Sequence, residues 1–338
     1  MGFIRLILFP VSLIYGAVMI IRNLLFDIRI LRTYKSSIPV ISVGNVTTGG
    51  TGKTPVVVML TGLLLKAGKS VCVISRGYGR NTKALTVGFD GFASKAFPEQ
   101  TGDELSMIIN RFEENKGAFF AIADGKRVNA VKYAESNFKP DVIILDDAYQ
   151  HRYIKRNLDI VVVSSEQSGI KDRTLLPAGN LREPLACLCR ADLIIRNLKF
   201  AGKKNTYPLN TVPELYISYE AEGFYNTLGE QPDTGGRTFV SISGIADNRS
   251  FKNILKEKGY DTIHDYSFRD HHSYTSADTD EITRGRDADT VYLTTEKDFV
   301  KLKNFSNFTE RNNLYFLKLK VRVDETALMS ILKGKNIL

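Results

Sequence analysis

Lys53 and Thr54 close the run Gly44-Asn45-Val46-Thr47-Thr48-Gly49-Gly50-Thr51-Gly52-Lys53-Thr54-Pro55, whose residue types suit the holding of phosphate. Gly49, Gly50 and Gly52 let backbone N–H groups curl around an anion. Lys53 reaches the β and γ phosphates of a nucleotide, and the Thr54 hydroxyl ligates Mg²⁺. The β-branched stretch Ile38–Val43 before the run reads as a buried strand, and Val56–Leu65 after it as a helix. Pro55 suits the first turn of that helix and Gly68 its C-terminal end. Thr47, Thr48, Gly49, Gly50, Thr51, Gly52, Lys53 and Thr54 are therefore the nucleotide-binding candidates. The pattern G-x-x-x-x-G-K-[ST] would place a glycine where Thr47 stands. A glycine-rich turn that binds nothing is the alternative, and strand, loop and helix in register speak against it.

Other clusters extend this chemistry. Asp141–Leu145 reads as a buried strand ending in Asp146 and Asp147. Two carboxylates at such an end are costly without a cation, which suits a Mg²⁺ shell beside a phosphate loop; a solvated turn carrying acids is the alternative. Gln150, His151 and Arg152 follow, placed to meet phosphate or substrate, or to cap the next helix. Thr101 and Glu104 have capping-box spacing, which puts Asp103 in a first helical turn. Leu175–Leu185 is a Pro/Gly/Asn loop carrying Arg182 and Glu183, either a surface ion pair or a phosphate contact with a further metal ligand. Ser75-Arg76-Gly77-Tyr78-Gly79-Arg80 follows the strand Val71–Ile74, where ligands of open α/β sheets gather. Arg76 and Tyr78 there suit an anionic sugar or lipid headgroup.

These groups need a frame. Alternating strands and helices predict an α/β fold of the phosphate-loop type: a mostly parallel sheet with helices on both faces over residues 36–200. Residues 201–236 are rich in Gly, Pro, Asn and Thr and read as a connection, with a strand at Leu215–Tyr219 inside it. Residues 237–338 read as a smaller α/β domain, with strands at Thr238–Ile242, Thr290–Leu293 and Leu314–Leu319 and a helix at Asn248–Lys258. Two polar clusters stand out there: Phe268–Thr275, with His271 and His272, and Thr294-Thr295-Glu296-Lys297-Asp298. A histidine reaching across a domain cleft is a more plausible reading of the first than a metal site.

Residues 1–35 are different in kind. Leu6–Ile21 is an uncharged run of sixteen residues between Arg5 and Arg22. As a helix it spans roughly 24 Å, against ~30 Å of hydrocarbon. No small-residue cleavage site follows, so it predicts membrane association, spanning or lying in the interface, over a signal peptide or a core helix. Arg22, Arg29, Arg32 and Lys35 form a positive flank that stays cytoplasmic. The net charge of +9 favours anionic partners, but the basic residues are dispersed and match no nucleic-acid motif. Cys72, Cys187 and Cys189 fit no zinc spacing and read as reduced thiols. Nothing here speaks to oligomeric state.

Taken in order, Gly44-Asn45 with Gly-Gly-Thr-Gly-Lys-Thr-Pro, Ser-Arg-Gly-Tyr-Gly, Gly-Asp-Glu, Leu-Asp-Asp-x-x-Gln-His-Arg, Leu-Arg-Glu-Pro, Asp-His-His and Thr-Glu-Lys-Asp resemble the tetraacyldisaccharide 4'-kinase family of lipid A synthesis, from about Arg5 to Leu319. That family shares the departure at Thr47; its usual glycine after the acid pair is Ala148 here, and its proline after Gly-Asp-Glu is Leu105. The resemblance implies ATP- and Mg²⁺-dependent phosphorylation of the 4'-hydroxyl of an acylated disaccharide 1-phosphate, giving lipid IVA, at the cytoplasmic face of the inner membrane. It implies Asp103 as base paired with His271, and Asp146, Asp147 and Glu183 as metal ligands with Thr54. Arg76, Tyr78, Gln150, His151 and Arg182 are the substrate-side candidates. The rival is a membrane-associated phosphate-loop switch ATPase, which hydrolyses ATP without an acceptor and gives Asp103 and His271 no role.

Overall fold

The computed structural model describes residues 2–164, 174–199, 212–233, 235–245, 247–287, 289–309 and 313–338. An N-terminal helix, α1 (Gly2–Asp27), precedes β1 (Val40–Gly44), α2 (Lys53–Lys66) and β2 (Val71–Ser75). Then come β3 (Thr86–Phe89), α3 (Pro98–Thr101), α4 (Asp103–Phe112), β4 (Phe119–Ala123), α5 (Arg127–Asn137), β5 (Val142–Asp146), β6 (Leu158–Ser164) and β7 (Leu193–Asn197). A long strand, β8 (Glu214–Tyr225), leads to β9 (Thr238–Ser243), α6 (Asn248–Glu257), β10 (Thr262–Ser267), α7 (Ser276–Thr283), β11 (Thr290–Thr295) and α8 (Glu296–Leu302). The chain closes with α9 (Ser306–Thr309), β12 (Leu314–Arg322) and α10 (Glu325–Gly334).

The strands form one sheet ordered β10-β9-β11-β12-β8-β7-β6-β1-β5-β2-β4-β3. The run β7-β6-β1-β5-β2-β4 is parallel, with β3 antiparallel at its edge. The first part of β8 pairs parallel with β7 from Glu214 to Ile217. Its second part pairs antiparallel with β12 from Ser218 to Tyr225. Beyond β12 the pairing is parallel again. The strand expected at Leu215–Tyr219 is thus longer than its local sequence suggests, because both halves of the sheet need it as an edge partner.

Successive residues of the parallel strands face opposite sides. Ile41, Val43, Val71, Val73, Val142 and Ile144 enter one core with α2 and α4; Val40, Cys72, Ile74, Ile143 and Leu145 enter another with α5. Both faces are buried, so these strands read as continuous apolar runs. Leu328 and Leu332 of α10 return to the first core beside Leu60 and Leu64 of α2.

Parallel strands deliver their C-terminal ends to one edge of a sheet. Here that edge collects the loop after β1, the Ser75–Arg80 turn after β2 and the acid pair after β5.

The capping box expected at Thr101 and Glu104 does not form. Thr101 ends α3, its hydroxyl against Phe97 O and Ser106 Oγ. Gly102 caps α4 at φ 85° with no side-chain cap. A Cβ there would lie 2.7 Å from Tyr78 O, so glycine lets the Ser75–Arg80 turn press against the start of α4.

Candidate active site

The phosphate loop joins β1 to α2. Gly52 stands at the helix start with φ 90°, a conformation that costs other residues dearly. A Cβ on it would come within 2.1 Å of Asn197 Nδ2 and 2.2 Å of the Tyr219 hydroxyl. Those two side chains brace the loop: Asn197 Nδ2 donates to Thr51 O at 3.0 Å and contacts Tyr219. Asn45 Nδ2 donates to Thr51 Oγ1 at 3.0 Å from the other side. Thr47 bridges to Leu181, and Thr48 N donates to Asn180 O at 2.8 Å. Arg182 N donates to Val46 O at 2.8 Å. The Leu175–Leu185 loop is therefore laid along the phosphate loop, which brings Arg182 to the carboxylate of Asp147 that Lys53 also meets.

The acid pair sits at the end of β5. Asp146 is fully buried and its Oδ1 has no hydrogen-bond partner. Burial pushes its carboxyl up to about 7, aided by Glu104 and Asp147. Asp147 occupies the left-handed region at φ 46°, a strain that clusters at functional sites. Arg182 Nη1 donates to both of its carboxylate oxygens at 2.8 and 2.9 Å, and Lys53 Nζ lies at 3.5 Å. These cations outweigh burial and hold Asp147 below the usual carboxylate range. Glu183 is buried against Arg190 at 2.5 Å, its Oε1 unpartnered. Arg182 and Glu183 thus pair with other partners rather than with each other.

Among the described residues no three His, Cys, Asp or Glu side chains form a protein-only metal cage. Mg²⁺ does not require one, since it binds through one or two carboxylates with water and phosphate oxygens. The orphaned Asp146 Oδ1 and the Thr54 hydroxyl at the start of α2 supply the hard oxygens such an ion takes. Asp147 and Glu183 already answer cationic side chains.

A cleft beside this strand end is lined by Ser75, Tyr78, Gly102, Asp103, Glu104 and His271, among others. His271 Nδ1 lies 3.2 Å from Asp103 Oδ2. Like Asp147, His271 is a non-glycine residue at positive φ, 59°. The Tyr78 ring meets its imidazole edge-on at 5.4 Å between centroids. Ser75 Oγ lies 3.5 Å from Asp146 Oδ2, joining this cleft to the acid pair.

Comparison with known proteins bears on the chain as a whole. The family model described as tetraacyldisaccharide-1-P 4'-kinase (LpxK) matches residues 4–336. The chain belongs to this family. A tetraacyldisaccharide 4'-kinase of Chlorobium phaeobacteroides is 35% identical over 345 residues, covering 97% of this chain and 96% of the relative. One from Aquifex aeolicus is 33% identical over 328 residues, covering 95% of each. The crystal structure of an Aquifex aeolicus LpxK in complex with ATP superposes with a TM-score of 0.81 at 31% identity, over 98% of this chain and 99% of that one.

The remaining candidates take varied places in this family member. Gln150 Nε2 donates to Asn45 O at 2.8 Å and so supports the phosphate loop. His151 is held near pKa 4 by burial and by Arg127, Arg156, Arg22 and Arg76. No helix begins at His151 or Arg152; Arg152 instead grips α1 through Asn23 O at 3.0 Å and Asp27. Arg76 and Tyr78 are exposed on the turn after β2.

Arg127, at the start of α5, went unread in the sequence. It is buried and donates to Asp146 O and Asp147 O at 2.9 Å each. Its signal was its place just beyond the C-terminal end of β4.

α1 is the one described helix long and apolar enough to cross a membrane. One stripe of it docks on the body. Arg5 donates to Ala178 O at 3.0 Å, Tyr15 to Arg182 O at 2.8 Å and Arg22 to Gln150 O at 2.8 Å. Its other faces expose Leu6, Leu13, Ile14, Val18 and Ile21, each more than half accessible.

Proposed function

We propose that the chain transfers the γ-phosphoryl group of ATP to the 4'-hydroxyl of a tetraacyldisaccharide 1-phosphate, the reaction named for its family. The observation that carries the site assignment is the Asp103–His271 pair, at 3.2 Å, in a cleft that Ser75 joins to Asp146. A phosphate loop alone would serve a switch ATPase; a carboxylate–imidazole pair beside it serves an acceptor hydroxyl.

Phosphoryl transfer is mainly alignment and charge neutralisation. The backbone amides of Gly49, Gly50 and Gly52 and the Lys53 ammonium hold the phosphates. Asp146 and Thr54, with Asp147 and Glu183 as further carboxylates, would hold Mg²⁺, which would supply charge neutralisation. Arg182 clamps Asp147, the carboxylate that Lys53 also meets. Asp103 accepts the proton of the acceptor hydroxyl, and His271 orients it and takes up part of the charge change. Arg76 and Tyr78, on the outer lip, meet the sugar or its phosphate.

Residues 36–200 form the nucleotide-binding core in this reading, 201–236 the connection, and 237–338 the part that closes the cleft. α1 docks along its length, which supports a helix lying in the membrane surface with its exposed face among acyl chains. The positive flank of Arg22, Arg29, Arg32 and Lys35 supports a body at the cytoplasmic face of the inner membrane.

The test uses radiolabelled ATP, Mg²⁺ and a tetraacyl disaccharide 1-phosphate in detergent micelles. Label enters the lipid with the wild-type chain and is abolished by Lys53→Ala. Free phosphate without labelled lipid would replace this reading with the switch ATPase.

A further inference from the structure

The Thr294–Asp298 cluster and the helix it opens are not absorbed by the reaction as described. Asp298 is structural: buried, it accepts from Gly244 N at 2.8 Å and from Thr295 Oγ1 at 2.7 Å, locking α8 to the end of β9. α8 also carries two lysines that face the cleft. Lys297 Nζ donates to Asp270 Oδ1 at 2.7 Å. Lys301 Nζ lies 2.6 Å from Asp103 Oδ2, and its side chain is only 8% exposed. The same ammonium donates to His272 O at 3.0 Å.

Lys301 therefore joins three things: the carboxylate on α4, the backbone next to His271, and α8. Both His271 Nδ1 and Lys301 Nζ address Oδ2 of Asp103. A carboxylate whose one oxygen is held twice cannot rotate freely. Its other oxygen, Oδ1, stays available for an incoming hydroxyl. An ammonium removed from solvent also makes the neighbouring carboxyl harder to protonate, so the base stays ready as pH falls.

We propose that Lys301 is a positioning residue for phosphoryl transfer, pinning Oδ2 of Asp103 so that Oδ1 takes the proton of the acceptor hydroxyl. This rests on the assignment of Asp103 as the base. The charged and titratable groups around that carboxylate are His271 and Asp270 on their loop, Lys297 and Lys301 on α8, Tyr274, Tyr78 after β2 and Glu104 beside it. Lys301 and His271 touch the carboxylate directly, so removing one of them moves its titration.

The experiment compares wild type, Lys301→Met, Lys301→Gln, Lys301→Arg and Asp103→Asn as full-length protein in the micelle assay, with binding of a fluorescent ATP analogue as the check on folding. Lys301→Met lowers kcat roughly 10-fold or more while nucleotide affinity holds, and the acid limb of kcat against pH moves up by about 1–2 units. Lys301→Arg restores the limb and most of kcat, since it keeps the cation. An acid limb that stays in place in Lys301→Met, whatever kcat does, overturns the proposal. Should Lys301→Met lose nucleotide binding, Lys301→Gln and Lys301→Arg decide it: limbs that differ between the two support the pinning, and identical limbs overturn it. Wild-type turnover in Asp103→Asn would instead remove the base assignment itself, a failure visible independently of every Lys301 variant.

Discussion

Individual side chains in this site are defined by what surrounds them rather than by their own chemistry. Asp103, Asp146 and Asp147 are the same residue type in three electrostatic settings. Asp146, buried with an orphaned oxygen, invites a cation. Asp147 is saturated by Lys53 and Arg182, and Asp103 is held by His271 and Lys301. Replacing Asp103 with Ala is expected to lower turnover by about 10²–10⁴, the usual worth of a positioned base, with ATP binding kept; steady-state kinetics and nucleotide titration check both halves. His151 permits a test of stability. Its folded pKa, near 4, lies below the ordinary value of 6.5. Between those values the unfolded chain binds a proton that the folded one refuses. Stability from this group is therefore full above pH 6.5 and lost as pH falls toward 4, on the order of 2 kcal/mol after discounting for partial solvent screening. His151→Gln flattens that part of a plot of denaturant-derived stability against pH; an unchanged slope would show that His151 does not set it.

At the scale of elements, α1 does two jobs on two faces. Its docked stripe supports the backbone of the Arg182 and Gln150 loops through Tyr15 and Arg22, and its apolar face stands in solvent unless lipid covers it. These jobs separate by mutation. Leu13→Asp with Ile14→Asp is expected to abolish co-sedimentation with anionic vesicles and to leave turnover in micelles near wild type. Deleting residues 1–30 is expected to lower micelle turnover as well, because the carbonyls of Arg182 and Gln150 lose their donors. Equal turnover in the two variants would reduce α1 to an anchor. The loop of Gly52 makes the same point in miniature: Asn197 and Tyr219, from distant strands, occupy the space a Cβ would need.

The whole molecule is tied together more tightly than a chain of two beads. β8 belongs to both parts of the sheet. α10 crosses back to the first core. Arg111 of α4 meets Glu296 of α8 at 3.1 Å and Leu319 O at 2.9 Å, at the other end of the two helices from the Asp103–Lys301 contact. Leu332, with no exposed surface, packs at that return. Leu332→Ala should cost about 2–5 kcal/mol by the lost burial and the cavity left behind. Urea unfolding followed by both nucleotide fluorescence and far-UV circular dichroism should give one coincident transition. Two separated transitions would mean that α10 does not couple the parts.

The sequence by itself determined what depends on near neighbours. Strand, glycine loop and helix around Lys53 follow from a β-branched run, conformationally free residues and a proline within about fifteen positions of one another. The apolar run before Arg22 and the strand ending in Asp146 were legible for the same reason, and ordered short motifs were enough to mark the family. Only the tertiary structure decided what depends on contacts between distant positions. Asp103 lies 168 positions from His271, and no local pattern sets that spacing. Arg127 and Lys301 look like ordinary helix-surface cations until parallel strands bring their helices to a shared edge. The capping box at Thr101 failed because tertiary packing of the Ser75–Arg80 turn demanded glycine at the cap instead. Local propensity is worth a few tenths of a kcal/mol per residue, and a buried backbone contact or a close charge pair outweighs it.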